Sequence, residues 1–143
     1  YLNIEIQFFF DDYAHHPSEI IEVLNGANEV YSNKKICCIF QPHRISRLKN
    51  LKKQFTYSFK KADMVVLCPI YKAGENIKLG FSYYNFAKEI ASNSKVKLII
   101  IKNELELHKF INQNIFDDQI VIGMGAGSIS NWMRKLPKML NGN

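Results

Sequence analysis

Cysteine, proline and glycine are all scarce in this sequence, and no long apolar run occurs. Its 143 residues hold three cysteines, four prolines and seven glycines. Cys37, Cys38 and Cys68 form no CxxC pair and are odd in number, which argues against a disulfide framework and against structural zinc. Reduced thiols in a core are expected instead. No apolar stretch approaches the roughly 20 residues that a membrane-spanning helix needs. Tyr1–Phe10 carries Glu5 where an export signal would have a basic segment. The expectation is therefore a cytoplasmic protein with no membrane partner. Acidic residues are missing from one stretch in particular, since His43–Lys61 holds seven Lys or Arg and no Asp or Glu. That segment supplies much of the formal net charge of +6 and suggests an anionic partner.

What is present is ordinary for a globular chain: 47% hydrophobic, 13% aromatic and 22% charged residues, enough for one domain over 1–143 with its own core. There is no internal repeat and no low-complexity linker. Segments rich in β-branched and aromatic residues recur at Ile4–Phe10, Lys35–Phe40, Met64–Ile70, Val96–Ile101 and Gln119–Met124. Helical spacing follows each of them, over about Pro17–Gly26, Ser46–Ala62, Gly80–Ser92, Leu105–Asn114 and Ile129–Leu136. Strands alternating with helices predict a doubly wound α/β domain, with a mostly parallel sheet covered by helices on both faces. In Ser46–Ala62, Leu48, Leu51, Phe55 and Phe59 form an apolar stripe, with Lys49, Lys52, Lys53 and Lys60 mostly opposite. A solvated helix face is favoured over a nucleic-acid surface for that charge.

Ligands of such sheets bind at the carboxyl ends of the strands, so the strand-end segments carry the functional argument. The first is Asp11-Asp12-Tyr13-Ala14-His15-His16-Pro17. Neighbouring side chains of an extended segment point in opposite directions, so His15 and His16 are not expected to share a metal ion. One is expected to cap or pack on the next helix while the other faces the cleft. The second segment is Gln41-Pro42-His43-Arg44-Ile45-Ser46-Arg47, where Arg44 and Arg47 are three apart at a helix start. On one face, beside free backbone N–H groups, they would form a site for carboxylate or phosphate. Pairing with acids elsewhere is the competing reading. The third segment, Pro69–Glu75, says little by itself. The last, Gly123–Ser130, permits close backbone approach to a ligand but stands too late in the chain for a dinucleotide fingerprint, and Ser130 replaces its final glycine.

In this order, Asp11–Pro17, Phe40-Gln41-Pro42-His43-Arg44, Ile70-Tyr71-Lys72-Ala73-Gly74-Glu75 and Gly125-Ala126-Gly127-Ser128-Ile129 resemble the C-terminal domain of the Mur ligases. The run at 40–44 is most similar to the branch that couples L-alanine to UDP-N-acetylmuramate. The resemblance implies an ATP-dependent carboxylate–amine ligase of peptidoglycan biosynthesis that works through an acyl phosphate. It also implies that an N-terminal UDP-sugar domain and a central ATPase domain are absent here. No GxxxxGKS or GxxxxGKT loop occurs, so ATP and Mg would be bound mainly by that central domain, and this chain alone is expected to be inactive.

By the same resemblance, Asp11 and Asp12 would contact the ATP ribose or order their loop, and Tyr13 and His15 would face the acceptor. His43, Arg44 and Arg47 would lie near the amino-acid carboxylate and the developing phosphate, and Gly125 to Ser128 would shape an alanine pocket. Catalytic roles fall to Arg44, His43 and His15, and no metal ligands are assigned. Expected partners are L-alanine, UDP-N-acetylmuramate, ATP and the parent enzyme's other domains. Ile45 departs from the family, which commonly has an aromatic residue there, and Ser130 departs from glycine. Two alternatives remain: a recycling ligase with a peptide acceptor, and a non-catalytic nucleotide- or nucleic-acid-binding module.

Overall fold

Alternation of side chains along the central strands sorts the core into two halves. Ile36, Cys38 and Phe40 point to one side of the sheet, and Cys37 and Ile39 point to the other. A strand buried on both sides must be covered by helices on both sides. The computed structural model describes residues 9–75, 81–115 and 119–140, with side chains as far as Leu136. Its elements are β1 (Phe9–Asp12), α1 (Pro17–Val30), β2 (Lys35–Phe40), α2 (Ile45–Asn50), α3 (Lys52–Thr56), β3 (Met64–Leu67), α4 (Tyr83–Ser94), β4 (Lys97–Ile100), α5 (Glu104–Asn114), β5 (Gln119–Met124) and α6 (Ile129–Leu140).

The sheet has the order β1-β5-β2-β3-β4, and every described pairing is parallel. Crossovers between parallel strands are right-handed, so a path that reverses along the sheet also changes face. Running outward from β1 to β4, the chain lays α1, α3 and α4 on one face, where Ile20, Leu24, Phe55, Phe86 and Ile90 are fully buried. Returning to insert β5 between β1 and β2, it lays α5 and α6 on the other, burying Leu107, Ile111, Ile129, Met133 and Leu136. Each such side chain contributes about 1.5–3 kcal/mol of burial. At the carboxyl ends, the chain leaves β1 and β2 toward the first face and β5 toward the second. A crevice opens at that divergence.

Several boundaries differ from the sequence expectation; α1, for one, continues to Val30, beyond the expected Gly26. β1 extends through Asp11 and Asp12, which pair in register with Gly123 and Met124. Both acids fit because β1 is an edge strand bonded on one side only. The single helix expected over Ser46–Ala62 is two short ones: Leu51 leaves helical geometry at φ −116, ψ 23. The Thr56 and Ser58 hydroxyls then donate back to the carbonyls of Lys53 and Gln54, which ends the second. β3 stops at Leu67 because Pro69 has no N–H for the ladder. α6 continues to Leu140, beyond the expected Leu136. The expected strand segment 4–8 and the helix start at Gly80 lie outside the described residues.

Candidate functional site

Three loops meet at the crevice, tied by the strand-end backbone. Gly125 N donates to Asp12 O at 3.2 Å, and Gln41 N donates to Met124 O at 3.0 Å. Gln41 is 2% exposed and joins two of the loops with its side chain. Its amide nitrogen donates to Ser128 Oγ at 2.9 Å, and its oxygen accepts from Ile129 N at 3.0 Å. A donor at the first turn of α6 is thereby satisfied inside the protein. Gly125 adopts φ +152, and a Cβ there would stand 2.8 Å from Gln41 O.

The loop after β3 closes the site from the other side. Arg44 N donates to Tyr71 O, and Tyr71 N donates to Pro42 O, both at 2.8 Å, forming an isolated parallel bridge between His43 and Tyr71. The rings of these two residues stack at 5.4 Å and 16°. Gly127 presses on the same ring, because a Cβ at 127 would lie 2.4 Å from Tyr71 Cγ. His15 meets His43 edge-on at 5.9 Å, and Tyr13 meets His15 at 5.5 Å. Tyr13, His15, His43 and Tyr71 thus form one aromatic row across the crevice. Tyr13 is 70% exposed, free to meet a ligand.

Electrostatics divide the titratable groups. Desolvation, then the charge of Arg47, holds the His43 imidazole below its ordinary value. Arg47 Nη1 donates to His43 O at 2.9 Å and approaches His43 Nδ1 at 3.1 Å. With Nδ1 accepting from the guanidinium, neutral His43 carries its proton on Nε2. His15 is opposite in sense: its Nδ1 lies 3.0 Å from Tyr13 O, which as an acceptor calls for the proton on Nδ1 and leaves Nε2 as the acceptor. His16 is the extended N-cap of α1, and Glu19 accepts from the N–H of both histidines at 3.1 Å. The backbone N–H of His15 is the largest cause of a Glu19 carboxyl below its usual range. One histidine at the helix cap and one in the cleft is the division expected from the sequence.

The expected pair of arginines on one face is not what forms. Arg44 precedes α2 at φ 75, ψ 132, a region that side chains other than glycine rarely enter. Its Nη1 meets Glu75 Oε2 at 3.7 Å. Arg47, one turn on, is turned back to His43. The expected anion site at the start of α2 is filled from within, since Glu75 accepts from Ser46 N at 3.1 Å and from Ser46 Oγ at 2.5 Å. The physical reason is that a carboxylate from the third loop satisfies those donors, so the competing reading of arginines paired with acids holds for Arg44.

Asp11 and Asp12 point to opposite faces. Asp11 accepts from Ser130 Oγ at 2.6 Å, with Arg134 donating to the same hydroxyl at 3.2 Å. Asp12 accepts from Ala14 N at 2.9 Å and so shapes its own loop. Ser128 lines a cleft of about 530 Å³ with Gln41, Tyr71, Lys72, Lys102 and Trp132. Sequence reasoning did not single out Gln41, Tyr71 or Glu75. A polar residue directly after an apolar strand was the available signal for Gln41, whereas the other two depend on how the third loop folds back. On the basic segment, Lys52 pairs with Glu89 at 3.2 Å and Lys60 lies over the Tyr57 ring at 5.2 Å, as on a solvated face. Among the described residues no group of three His, Cys, Asp or Glu could hold a metal ion, and no helix is long and apolar enough to cross a membrane.

Known proteins share this arrangement of sequence and fold. The family model described as Mur ligase, glutamate ligase domain, matches residues 3–127. A UDP-N-acetylmuramate–L-alanine ligase of Pelagibacter ubique is 64% identical over 132 residues, covering 92% of this chain and 28% of that protein. The enzyme of the same name from Bartonella bacilliformis is 38% identical over 131 residues, covering 92% of this chain and 27% of its own. The crystal structure of UDP-N-acetylmuramate–alanine ligase from Thermotoga maritima superposes with a TM-score of 0.73 at 26% identity, covering 99% of this chain and 28% of that one. A murein peptide ligase from Psychrobacter arcticus shares the fold at the same TM-score and 16% identity, over 99% of this chain and 29% of its own. The chain thus spans just over a quarter of the length of the curated relatives it matches.

Proposed function

Because the chain belongs to the Mur ligase family, we propose that it is the C-terminal, amino-acid-binding and closing domain of an ATP-dependent ligase that joins L-alanine to UDP-N-acetylmuramate. The observation that supports this most is the row in which His15 meets His43 at 5.9 Å and His43 stacks on the Tyr71 ring that Gly127 abuts, in a chain 64% identical to a ligase of that name. In the overall reaction the muramoyl carboxylate takes the γ-phosphoryl group of ATP, releasing ADP. The alanine amine attacks the resulting acyl phosphate, and the tetrahedral intermediate expels phosphate.

This chain's residues suit the second half of that sequence. The ammonium of alanine must lose a proton before it attacks, and His15 Nε2 is the acceptor suited to take it. Charge then develops on the carbonyl oxygen and on the departing phosphate. His43 Nε2–H and the Arg44 guanidinium are donors of the right kind for both, and they gain strength when closure excludes water. Gly125 to Ser128, locked by Gln41, would border the alanine pocket, and Tyr13 would cover it.

ATP fits this chain only at its periphery. There is no phosphate-cradling loop, so ATP phosphates and Mg are assigned to the parent enzyme's central domain. Asp11, exposed and already accepting from Ser130, fits a single contact to a ribose hydroxyl. We place the enzyme in the cytoplasm, in keeping with three buried thiols, of which burial pushes Cys37 up to about 12.

The test is phosphate release by the full-length protein carrying this chain, given ATP, Mg and UDP-N-acetylmuramate. L-alanine, glycine, L-serine and a tripeptide are compared as acceptors. Release that requires L-alanine is expected. Release only with the tripeptide would move the protein to a recycling role, and release by none would sink the reading. The 143-residue chain alone is expected to release no phosphate.

A further inference from the structure

Glu75 has no part in the reaction proposed above, although it fills the start of α2. It comes from the loop after β3, yet its carboxylate accepts from both the N–H and the hydroxyl of Ser46 at the start of α2. The same carboxylate stands 3.7 Å from Arg44 Nη1, and among the described residues it is the one carboxylate paired with that guanidinium. Arg44 is the link between them in sequence and the strained link in conformation, at φ 75. Non-glycine residues persist there when surrounding contacts over-determine them. The contacts here are the Arg44 N–Tyr71 O bond on the backbone and Glu75 on the side chain. Both come from the stretch 71–75 of the loop after β3, which therefore grips the backbone and the head of the same arginine.

We propose that Glu75 is a positioning residue for the ligase reaction: anchored on Ser46, it sets the direction of the Arg44 guanidinium toward the crevice. This rests on the function proposed above. As an exposed pair the contact adds little to folding, so its consequence is directional. A long arginine side chain, 47% exposed, otherwise samples many rotamers, and closure would have to order it at each turnover. Ser46 is the reason that a glutamate at the end of a loop can serve, because two hydrogen bonds fix the carboxylate before Arg44 meets it. The Glu75 carboxyl is held below its usual range by those bonds to Ser46, so it is charged at neutral pH.

The test is a double-mutant cycle in the full-length protein, reading kcat and KM for L-alanine and UDP-N-acetylmuramate by phosphate release. Glu75→Gln keeps one oxygen to accept from Ser46 N, turns the group beside the Ser46 hydroxyl into a donor, and removes the charge that faces Arg44. A lost positioning contact is expected to lower kcat by roughly ten- to a hundredfold, with KM changed much less and Tm unchanged. In an Arg44→Ala background the same substitution is expected to cost nothing, because the group it directs is gone. Glu75→Asp is expected to recover part of kcat. Equal losses in both backgrounds would overturn the proposal, as would full activity in Glu75→Gln. A wild-type protein with no L-alanine-dependent release would instead overturn the function on which the proposal rests, and the proposal with it.

Discussion

Replacing Gln41 by methionine removes two internal hydrogen bonds while nearly keeping the side chain's length and volume. The amide oxygen satisfies Ile129 N in the buried first turn of α6, and stranding such a donor costs about 1–3 kcal/mol. The amide nitrogen satisfies Ser128 Oγ, a partly exposed hydroxyl that water can serve instead, so this second loss is about 0.5–1.5 kcal/mol. Gln41→Met should therefore destabilise the chain by about 2–4 kcal/mol. Urea unfolding followed by far-UV circular dichroism should show a midpoint lower by about 1–2 M at unchanged slope. Gln41→Ala adds a cavity on top and should be worse. In a Ser128→Ala background the Gln41→Met cost should shrink toward the Ile129 share alone. A midpoint that moves by less than about 0.3 M in Gln41→Met would refute the claim that this side chain locks the Gly125–Ser128 loop.

Three further outcomes follow from the same geometry. Arg44→Gly relieves the backbone at φ 75 and should leave the fold more stable by about 1 kcal/mol after the added chain entropy, while turnover of the full-length protein falls at least about tenfold; lower stability with intact turnover would contradict it. Because the folded His43 imidazole sits below its ordinary 6.5, the fold favours the neutral form. Its contribution is present above pH 6.5 and is lost as pH falls through the lowered value, so an NMR titration should give a midpoint under 6.5, and His43→Gln should flatten the loss of stability on acidification. Gly127→Ala should push Tyr71 off His43 at a cost of about 1–3 kcal/mol, and Tyr71→Ala should recover part of that cost; additive losses would mean that the two residues do not press on each other.

Much of the fold is legible in the sequence because apolar periodicity is a local signal. Lys35–Phe40 and Gln119–Met124 are runs apolar on both faces, and each forms a strand with the expected ends. Proline at the start of α1 and the stripe through Ile20 and Leu24 likewise fix that helix from nearby residues. Some of the boundaries that shifted are set in part by distant partners. β1 runs into Asp11 and Asp12 because β5 continues beside it, and α3 ends where Ser94 Oγ takes the Thr56 carbonyl at 2.7 Å.

At the site the sequence by itself determined which residue types stand at the strand ends, and four ordered motifs carried the family. Only the tertiary structure decided what those residues touch. Spacing put Arg44 and Arg47 on one helical face, but a positive φ at Arg44 places it outside the helix, and Glu75, 31 positions away, claims its head. Spacing could not find Tyr71 or Gln41 either, since their importance lies in bridges to His43 and Ser128. Periodicity reports the neighbours three or four residues away, whereas a crevice at a sheet's switch point is made by loops that meet only after every strand between them has been laid down.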